Sequence, residues 1–371
     1  MDKRIILATA GSGKTFHLCH ELNSTKRNII IAYTHQNISN ILKELYENFG
    51  KVPDNTLVMT FHSFIYKFMI RPFDKMIGNY YGVENFKSKG VTIVTPPKSY
   101  IPMKNGGKMS NPQYNSIDSL EHYKKDKYYY SDYLSKLIIK TKNKDFSLIK
   151  ESCNNINKFY DCIYVDEVQD FREYNWKLLI EIIKRVNNIL MVGDYNQHSV
   201  SATNNSGMPF KNNKIIVGYE DYIEYLKKLG IIVDNTTLIK SRRCIKEVCE
   251  FIKTKLNIKI ESSGKNTGKV NLITESDKIK EILSNNKIVK MVWDNAEQYN
   301  FNAISWSYSK GDTYKETCVI LTDVYSNLME NNYINMEPSI SKNKLYVALT
   351  RSSGNVNIVN KQNLIKAIHT E

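Results

Sequence analysis

The chain has 371 residues, 42% hydrophobic and 24% charged, a balance that excludes a disordered polymer and leaves room for two domains, each with its own core. Its longest apolar runs, such as Ile29-Ile30-Ile31-Ala32, have strand length and fall well short of the ~18 residues of a membrane span, so no membrane partner is expected. The net charge of +14 points to a polyanionic partner such as nucleic acid, or to the Lys, Asn, Ile and Tyr that an AT-rich genome favours.

Met1-Asp2-Lys3-Arg4 leads straight into an apolar run, and no cleavable leader is expected. Ile5-Ile6-Leu7 predicts a strand feeding Ala8-Thr9-Ala10-Gly11-Ser12-Gly13-Lys14-Thr15, a glycine-rich loop that opens a helix from Lys14 to about Glu21. Read alone, the loop is either a phosphate cradle or an anion-friendly helix cap, and Ala8 stands where the usual pattern begins with Gly. A strand at 28–33 precedes a helix near 38–48 with Ile38, Ile41, Leu42 and Leu45 at helical spacing. A further strand, 56–60, ends in Thr60-Phe61-His62-Ser63. This is the rhythm of a three-layer α/β fold with parallel strands.

Residues 65–155 break that rhythm with Pro96-Pro97, Gly106-Gly107 and the run Tyr123-Lys124-Lys125-Asp126-Lys127-Tyr128-Tyr129-Tyr130, and read as a helical or irregular insertion. Residues 61–155 hold 16 basic and 8 acidic residues, more than half of the chain's excess charge, and ten of its 25 tyrosines. Cations interleaved with aromatics suit single-stranded nucleic acid, and equally a solvated helical face. The α/β rhythm resumes at strand 162–166, helix 174–186 and strand 189–192, followed by a Ser/Asn/Gly-rich loop at 201–213. A second α/β unit begins near Thr236, with helix 245–256, strands near 269–273 and 317–321, helix 340–350, strand 355–359 and a short terminal helix. Six scattered cysteines make no Cys-x-x-Cys pair and read as reduced thiols of a cytoplasmic protein.

Strand 162–166 runs into Asp166-Glu167-Val168-Gln169-Asp170, and paired with the glycine-rich loop it describes a nucleoside-triphosphate site. Loop amides from Ala10, Gly11, Ser12 and Gly13 would surround the phosphates and Lys14 would charge-pair with them. Thr15 and Asp166 would hold Mg²⁺.

At this point the motif string resembles the UvrD/Rep/PcrA group of superfamily 1 helicases along nearly the whole chain. In the family's order stand Gly11-Ser12-Gly13-Lys14-Thr15, Ala32-Tyr33-Thr34-His35, Thr60-Phe61-His62-Ser63, Asp166 through Asp170, and Val192-Gly193-Asp194 with Gln197. Leu238 through Arg243, Ser309-Lys310-Gly311 and Tyr346-Val347-Ala348-Leu349-Thr350-Arg351 follow. The resemblance implies two RecA-like domains, 1–235 with the insertion at about 65–155, and 236–371, with ATP between them. It implies Glu167 as the base for water, Gln197 as γ-phosphate sensor and Arg243 and Arg351 as arginine fingers. Arg242, Lys310 and Gly311 would sit beside the nucleotide. Tyr33, Thr34, His35, Thr60 and His62 would lie on nucleic acid, with Lys124, Lys125 and Lys127 added by the charge count. Read without the family, Arg243 is a surface cation, Arg351 a helix C-terminal cap, and the Tyr33 and Thr60 groups strand-end packing.

The departures are informative. The family's adenine-reading glutamine is not expected among the seven residues ahead of the loop, and Arg242 replaces an adenine-stacking Tyr. His198-Ser199-Val200-Ser201-Ala202-Thr203 follows Gln197 where the family carries a base-stacking aromatic platform. Ser307, Asp312 and Thr313 replace the family's His, Leu and Glu, and the 66 residues between Arg243 and Lys310 leave no room for the large second-domain insertion. Two functions fit: an ATP-driven translocase on single-stranded nucleic acid, by preference DNA, or an ATP-dependent switch that licenses a partner such as a nuclease.

Overall fold

Continuous apolar runs become strands buried on both faces, and those at both ends of this chain do so in the computed structural model, which describes residues 3–198, 207–212, 215–330 and 337–369. Two compact units result: one formed by Cys19–Asp166 and Phe171–Leu190, the other by Arg4–Leu18, Glu167–Asp170 and Met191–Glu371. Among the described residues no helix is long and apolar enough to cross a membrane.

In the first unit, strand Asn28–Ala32 is buried at every position and pairs in parallel with Thr56–Thr60 on one side and Cys162–Val165 on the other. The next helix, His35–Phe49, starts three residues earlier than its apolar spacing predicts. Thr34 caps it, accepting the Asn37 N–H at 3.2 Å, and Gly50 ends it in the left-handed region at φ 73°. Helix Glu173–Arg185 buries Trp176, Leu179 and Ile183.

The insertion is helical at its flanks, through Asp74–Tyr80, Leu134–Lys140 and Leu148–Phe159. Between them stand a three-stranded sheet of Gly90–Thr92, Tyr128–Tyr130 and Lys124–Lys125, and a hairpin of Tyr100–Pro102 with Lys108–Ser110. Buried Asp74 holds this part together. Its carboxylate accepts the Ser88 N–H and hydroxyl at 2.8 and 2.7 Å and the Tyr129 hydroxyl at 3.2 Å.

In the second unit, Arg4–Leu7 pairs in parallel with Ile232–Asp234. A separate five-stranded parallel sheet runs in the order Val270–Leu272, Val356–Asn360, Thr317–Leu321, Val289–Val292, Ala303–Ser305. Alternation along Thr317–Leu321 divides the core in two. Val319 and Leu321 pack with helices Lys246–Leu256 and Ile340–Leu349, while Cys318 and Ile320 pack with Ser276–Ser284 and Lys361–His369. Helices on both faces of a parallel sheet make this an α/β three-layer fold, as the sequence rhythm predicts. Of the loop predicted at 201–213, residues 201–206 and 213 lie outside the described residues, as do Ser199 and Val200.

Candidate active site

The glycine-rich loop lies in the second unit. Gly11 and Gly13 sit at φ 70° and 88°, which L side chains rarely adopt. A Cβ at Gly11 would also come within 2.6 Å of Arg243 Cβ and 2.8 Å of the Ser241 hydroxyl, so only glycine lets the loop approach segment 241–243. The loop is tied down from several sides: Thr9 N–H donates to Leu238 C=O at 2.9 Å, Arg242 N–H to Gly11 C=O at 2.8 Å, and Ser12 hydroxyl to Thr9 C=O at 2.8 Å. Ala10 N–H donates to the Tyr346 hydroxyl at 2.8 Å, so this loop amide already has a protein acceptor. Helix Lys14–His20 begins at the loop's end and contains Thr15.

Lys14 is 8% exposed, and its ammonium lies 3.7 Å from Glu167 Oε1. Glu167 adopts φ 53°, a left-handed conformation unusual for a residue with a side chain and a mark of strained functional positions. Its other oxygen accepts from the Gln169 side-chain amide and lies 4.0 Å from the Lys310 ammonium, which pairs with Asp170 at 2.6 Å. Burial pushes the Glu167 carboxyl up, but Lys14, Lys310, Gln169 and Arg351 outweigh it and hold the carboxyl at about 2. Glu167 is therefore an ionised acceptor at neutral pH, ringed by cations.

Strand Ile189–Gly193 ends at Asp194, and a Cβ at Gly193 would come within 2.5 Å of Val168 and 2.6 Å of Gln169 Oε1. That close approach lets Asp194 N–H donate to Gln169 Oε1 at 3.0 Å. The Asp194 carboxylate accepts the Asn196 N–H at 3.0 Å and the Tyr346 hydroxyl at 3.2 Å. Burial raises it to about 6, against the pull of Lys14. Gln197 ends the helical turn Tyr195–Gln197 and is buried, its backbone N–H donating to Asp194 C=O at 3.0 Å.

Arg243 and Arg351 belong to the same cluster. Arg243 donates to Thr350 C=O at 3.3 Å. Arg351, 2% exposed, donates to Val347 C=O at 2.9 Å, to Ser309 C=O at 3.4 Å and to the Thr350 hydroxyl at 3.2 Å. It thus serves its helix end, as the family-free reading expects, and also braces the segment bearing Lys310. Burial lowers both guanidiniums, and for Arg351, held at about 10, Arg243 adds to the effect. The half-buried Arg243 and the buried Arg351, together with Lys14 and Lys310, make a cationic cluster complementary to a polyanion. Arg242 is exposed and lies over the Phe16 ring at 4.8 Å, beside Gly13. Gly311 sits at φ 97°, where glycine is favoured.

Asp166 follows strand Cys162–Val165 in the first unit, buried, with its N–H on Ile31 C=O at 2.9 Å. Among the described residues no group of three His, Cys, Asp or Glu is placed to hold a metal ion. A buried carboxylate and a hydroxyl such as Thr15 offer the hard oxygens Mg²⁺ takes, since that ion keeps several waters and phosphate oxygens rather than an all-protein cage.

The nucleic-acid candidates lie in the first unit. Tyr33 packs edge-on to His62 and to Phe171, each at 5.6 Å, and its hydroxyl accepts from Asn175 at 3.0 Å. Thr34 and Thr60 both cap helices, Thr60 accepting the Ser63 N–H at 3.3 Å. His35 is exposed at a helix start. Burial pushes the His62 imidazole down, against the charge of Asp132.

The basic Tyr-rich run folds differently from a solvated helical face. Lys124 is buried and paired with Glu121 and with Asp126 C=O at 3.0 Å, while Tyr123, Tyr129 and Tyr130 point into the insertion's core. Lys125, Lys127 and Tyr128 remain exposed. Replacing Lys125 and Lys127 together by Ala is expected to flatten the salt dependence of strand binding by about 1.4 in log–log slope, at about 0.7 per phosphate contact. Lys124→Ala is expected instead to lower the melting temperature. Titrations from low to high salt and a thermal melt check both; an unchanged slope would remove this run from the interface.

Sequence reasoning did not single out Phe16, Gln169, Asp170 or Tyr346 as site residues, although the last three stand inside quoted motifs. For Phe16, Asp170 and Tyr346 the partners Arg242, Lys310 and Ala10 lie far away in sequence.

A phosphate-type loop at the end of a strand, an acidic pair after a second strand and a cationic cluster on a parallel α/β scaffold define the P-loop nucleotide-binding class. Residues 130–360 match the viral superfamily 1 RNA helicase core domain family, and residues 2–203 match a family described as an AAA domain. Each match takes in more than half of the chain, which belongs to the superfamily 1 helicases. No curated protein matches it by sequence. Among solved structures it is similar to arterivirus nonstructural protein 10 (helicase), at 13% identity and TM-score 0.46, covering 98% of this chain and 61% of that one. The PRRSV helicase is similar at 11% identity and TM-score 0.44, over 98% and 53%. A complex of the arterivirus protein with DNA matches at 13% and 0.45, over 96% and 61%. The chain thus spans between half and two thirds of the length of these structures.

Proposed function

We propose that the chain is an ATP-hydrolysing motor core that translocates on single-stranded nucleic acid, by preference DNA. The observation that carries this reading is the gathering of Lys14, Glu167, Lys310, Arg243 and Arg351 in one unit. Residues 1–235 and 236–371 would be its two RecA-like domains, with UvrD/Rep/PcrA-type motifs. The loop and Lys14 bind the phosphates, and Thr15 and Asp166 hold Mg²⁺, which would neutralise charge on them. Glu167, ionised and oriented by Gln169, takes the proton of the attacking water. Gln197 contacts the γ-phosphate, and the two arginines stabilise its developing charge. Arg242 on Phe16 offers a flat cation beside the nucleotide, with Gly311 allowing a close backbone approach at Lys310. We place the protein in the cytoplasm on the reading of its six buried thiols.

The matched family is named for RNA helicases and one similar structure holds DNA, so both tracks belong in the test. One observation favours the second reading, a switch that licenses a partner such as a nuclease. His198, directly after Gln197, is buried and stacked on Phe210 at 4.2 Å rather than offered to a base. Steady-state ATP hydrolysis without nucleic acid and with single-stranded DNA, duplex DNA or RNA separates the two. Stimulation by one track, lost in Glu167→Gln, is the motor's expected result; hydrolysis indifferent to every track supports the switch. No hydrolysis under any condition would sink both.

A further inference from the structure

Two buried polar groups have no part in the mechanism above: the Tyr346 hydroxyl and the Asp194 carboxyl. Tyr346 lies on helix Ile340–Leu349 and is fully buried, as is Asp194 at the end of strand Ile189–Gly193. A buried phenol must find partners, and this one has two. It accepts the Ala10 N–H at 2.8 Å and donates to Asp194 Oδ2 at 3.2 Å. The direction is set by chemistry, because a peptide N–H can only donate and an ionised carboxylate can only accept.

The bonds continue beyond Asp194. Its backbone N–H donates to Gln169 Oε1 at 3.0 Å, and the same amide group donates through its nitrogen to Glu167 Oε2. An unbroken path therefore runs from the glycine-rich loop, through Tyr346, Asp194 and Gln169, to the carboxylate that takes the proton. Each member is buried or nearly so, where such bonds are strong and a missing one costs most. The path joins residues 336 positions apart in sequence, at Ala10 and Tyr346, and fixes both the loop and the base.

We propose that Tyr346 is a positioning residue for nucleotide hydrolysis: its hydroxyl locks the loop at Ala10 to Asp194 and, through Gln169, sets the orientation of the Glu167 carboxylate. This rests on the hydrolytic reading of the site. Tyr346 does not touch the reacting atoms; it acts by holding the groups that do. Removal of its one oxygen leaves the ring's packing in place, orphans the Ala10 N–H and releases the Asp194 carboxylate, and with it the constraint on the residue whose backbone N–H holds Gln169. Binding of nucleotide, carried mainly by Lys14 and the rest of the loop, changes little, whereas the geometry needed for proton removal is lost.

The test is steady-state ATP hydrolysis by the full chain, comparing wild type with Tyr346→Phe, Gln169→Ala and the double variant, with thermal melts alongside. Tyr346→Phe is expected to lower kcat about tenfold or more while KM for ATP stays within about twofold. The double variant is expected to be no slower than the slower single one, because both break the same path. A lower melting temperature with unchanged kcat would make Tyr346 merely structural, and additive losses would show that the two residues do not act through one path; either overturns the proposal. If Gln169→Ala does not fold, Asp194→Asn replaces it with the same expectations. Wild-type protein that hydrolyses nothing would overturn the hydrolytic reading and this inference with it, an outcome distinct from an active wild type beside an equally active Tyr346→Phe.

Discussion

Lys14→Ala is expected to reduce ATP turnover below detection. Lys14 is the loop's only side-chain cation, it is nearly buried, and its ammonium lies 3.7 Å from Glu167. In the proposed site, losing it would remove the charge that meets the β- and γ-phosphates; deleting one preorganised donor of this kind costs about 10²–10³-fold in kcat. A second loss follows. Lys14 is the strongest of the cations holding the Glu167 carboxyl down, so its removal lets burial push that carboxyl upward. Nucleotide affinity and turnover are therefore both expected to fall. Lys14→Arg is not expected to rescue, because a planar fork does not fit where a compact ammonium is enclosed. Hydrolysis and nucleotide-binding assays on folded variants check this, and retained turnover would sink the assigned phosphate site.

Arg243→Ala is expected to cost about 10³–10⁵-fold in turnover, the range for an arginine finger in phosphoryl transfer. Its effect on stability should run the other way. Half-buried Arg243 and buried Arg351 are like charges in one cluster, and Arg243 helps lower the Arg351 guanidinium. Without a bound polyanion, removing one cation relieves the other, so the melting temperature should hold or rise as activity disappears. Arg351→Ala makes a contrast. That side chain braces Val347, Ser309 and Thr350, and its loss is expected to lower both activity and melting temperature. Turnover and thermal melts on both variants test the assignment. Near-wild-type hydrolysis by Arg243→Ala would return it to the surface cation it resembles when read alone.

Much of the site is legible in the linear chain because its parts are local. A strand, a glycine-rich turn and a helix start form one continuous segment, and left-handed φ values at Gly11 and Gly13 need only the residues at those positions. Apolar periodicity likewise places strand Thr317–Leu321 and, within a residue or two, the helices Lys246–Leu256 and Ile340–Leu349. The early start of helix His35–Phe49 was also written locally, in the Thr34 cap, although apolar spacing alone missed it.

Charge and aromatic content were less informative. Lys124 and Lys125 are neighbours in a run that reads as uniformly basic, yet one is buried on Glu121 and the other is exposed. Alternation in a short strand separates them, and that depends on what the insertion folds against. The sequence by itself determined the parallel α/β scaffold and the position of the glycine-rich turn between strand and helix, since periodicity and turn chemistry act over a few residues. Only the tertiary structure decided that Lys310 pairs with Asp170, that Arg242 lies on Phe16, and that Tyr346 joins Ala10 to Asp194. Those bonds link positions more than a hundred residues apart, and burial, which makes each of them matter, exists only once the chain has packed.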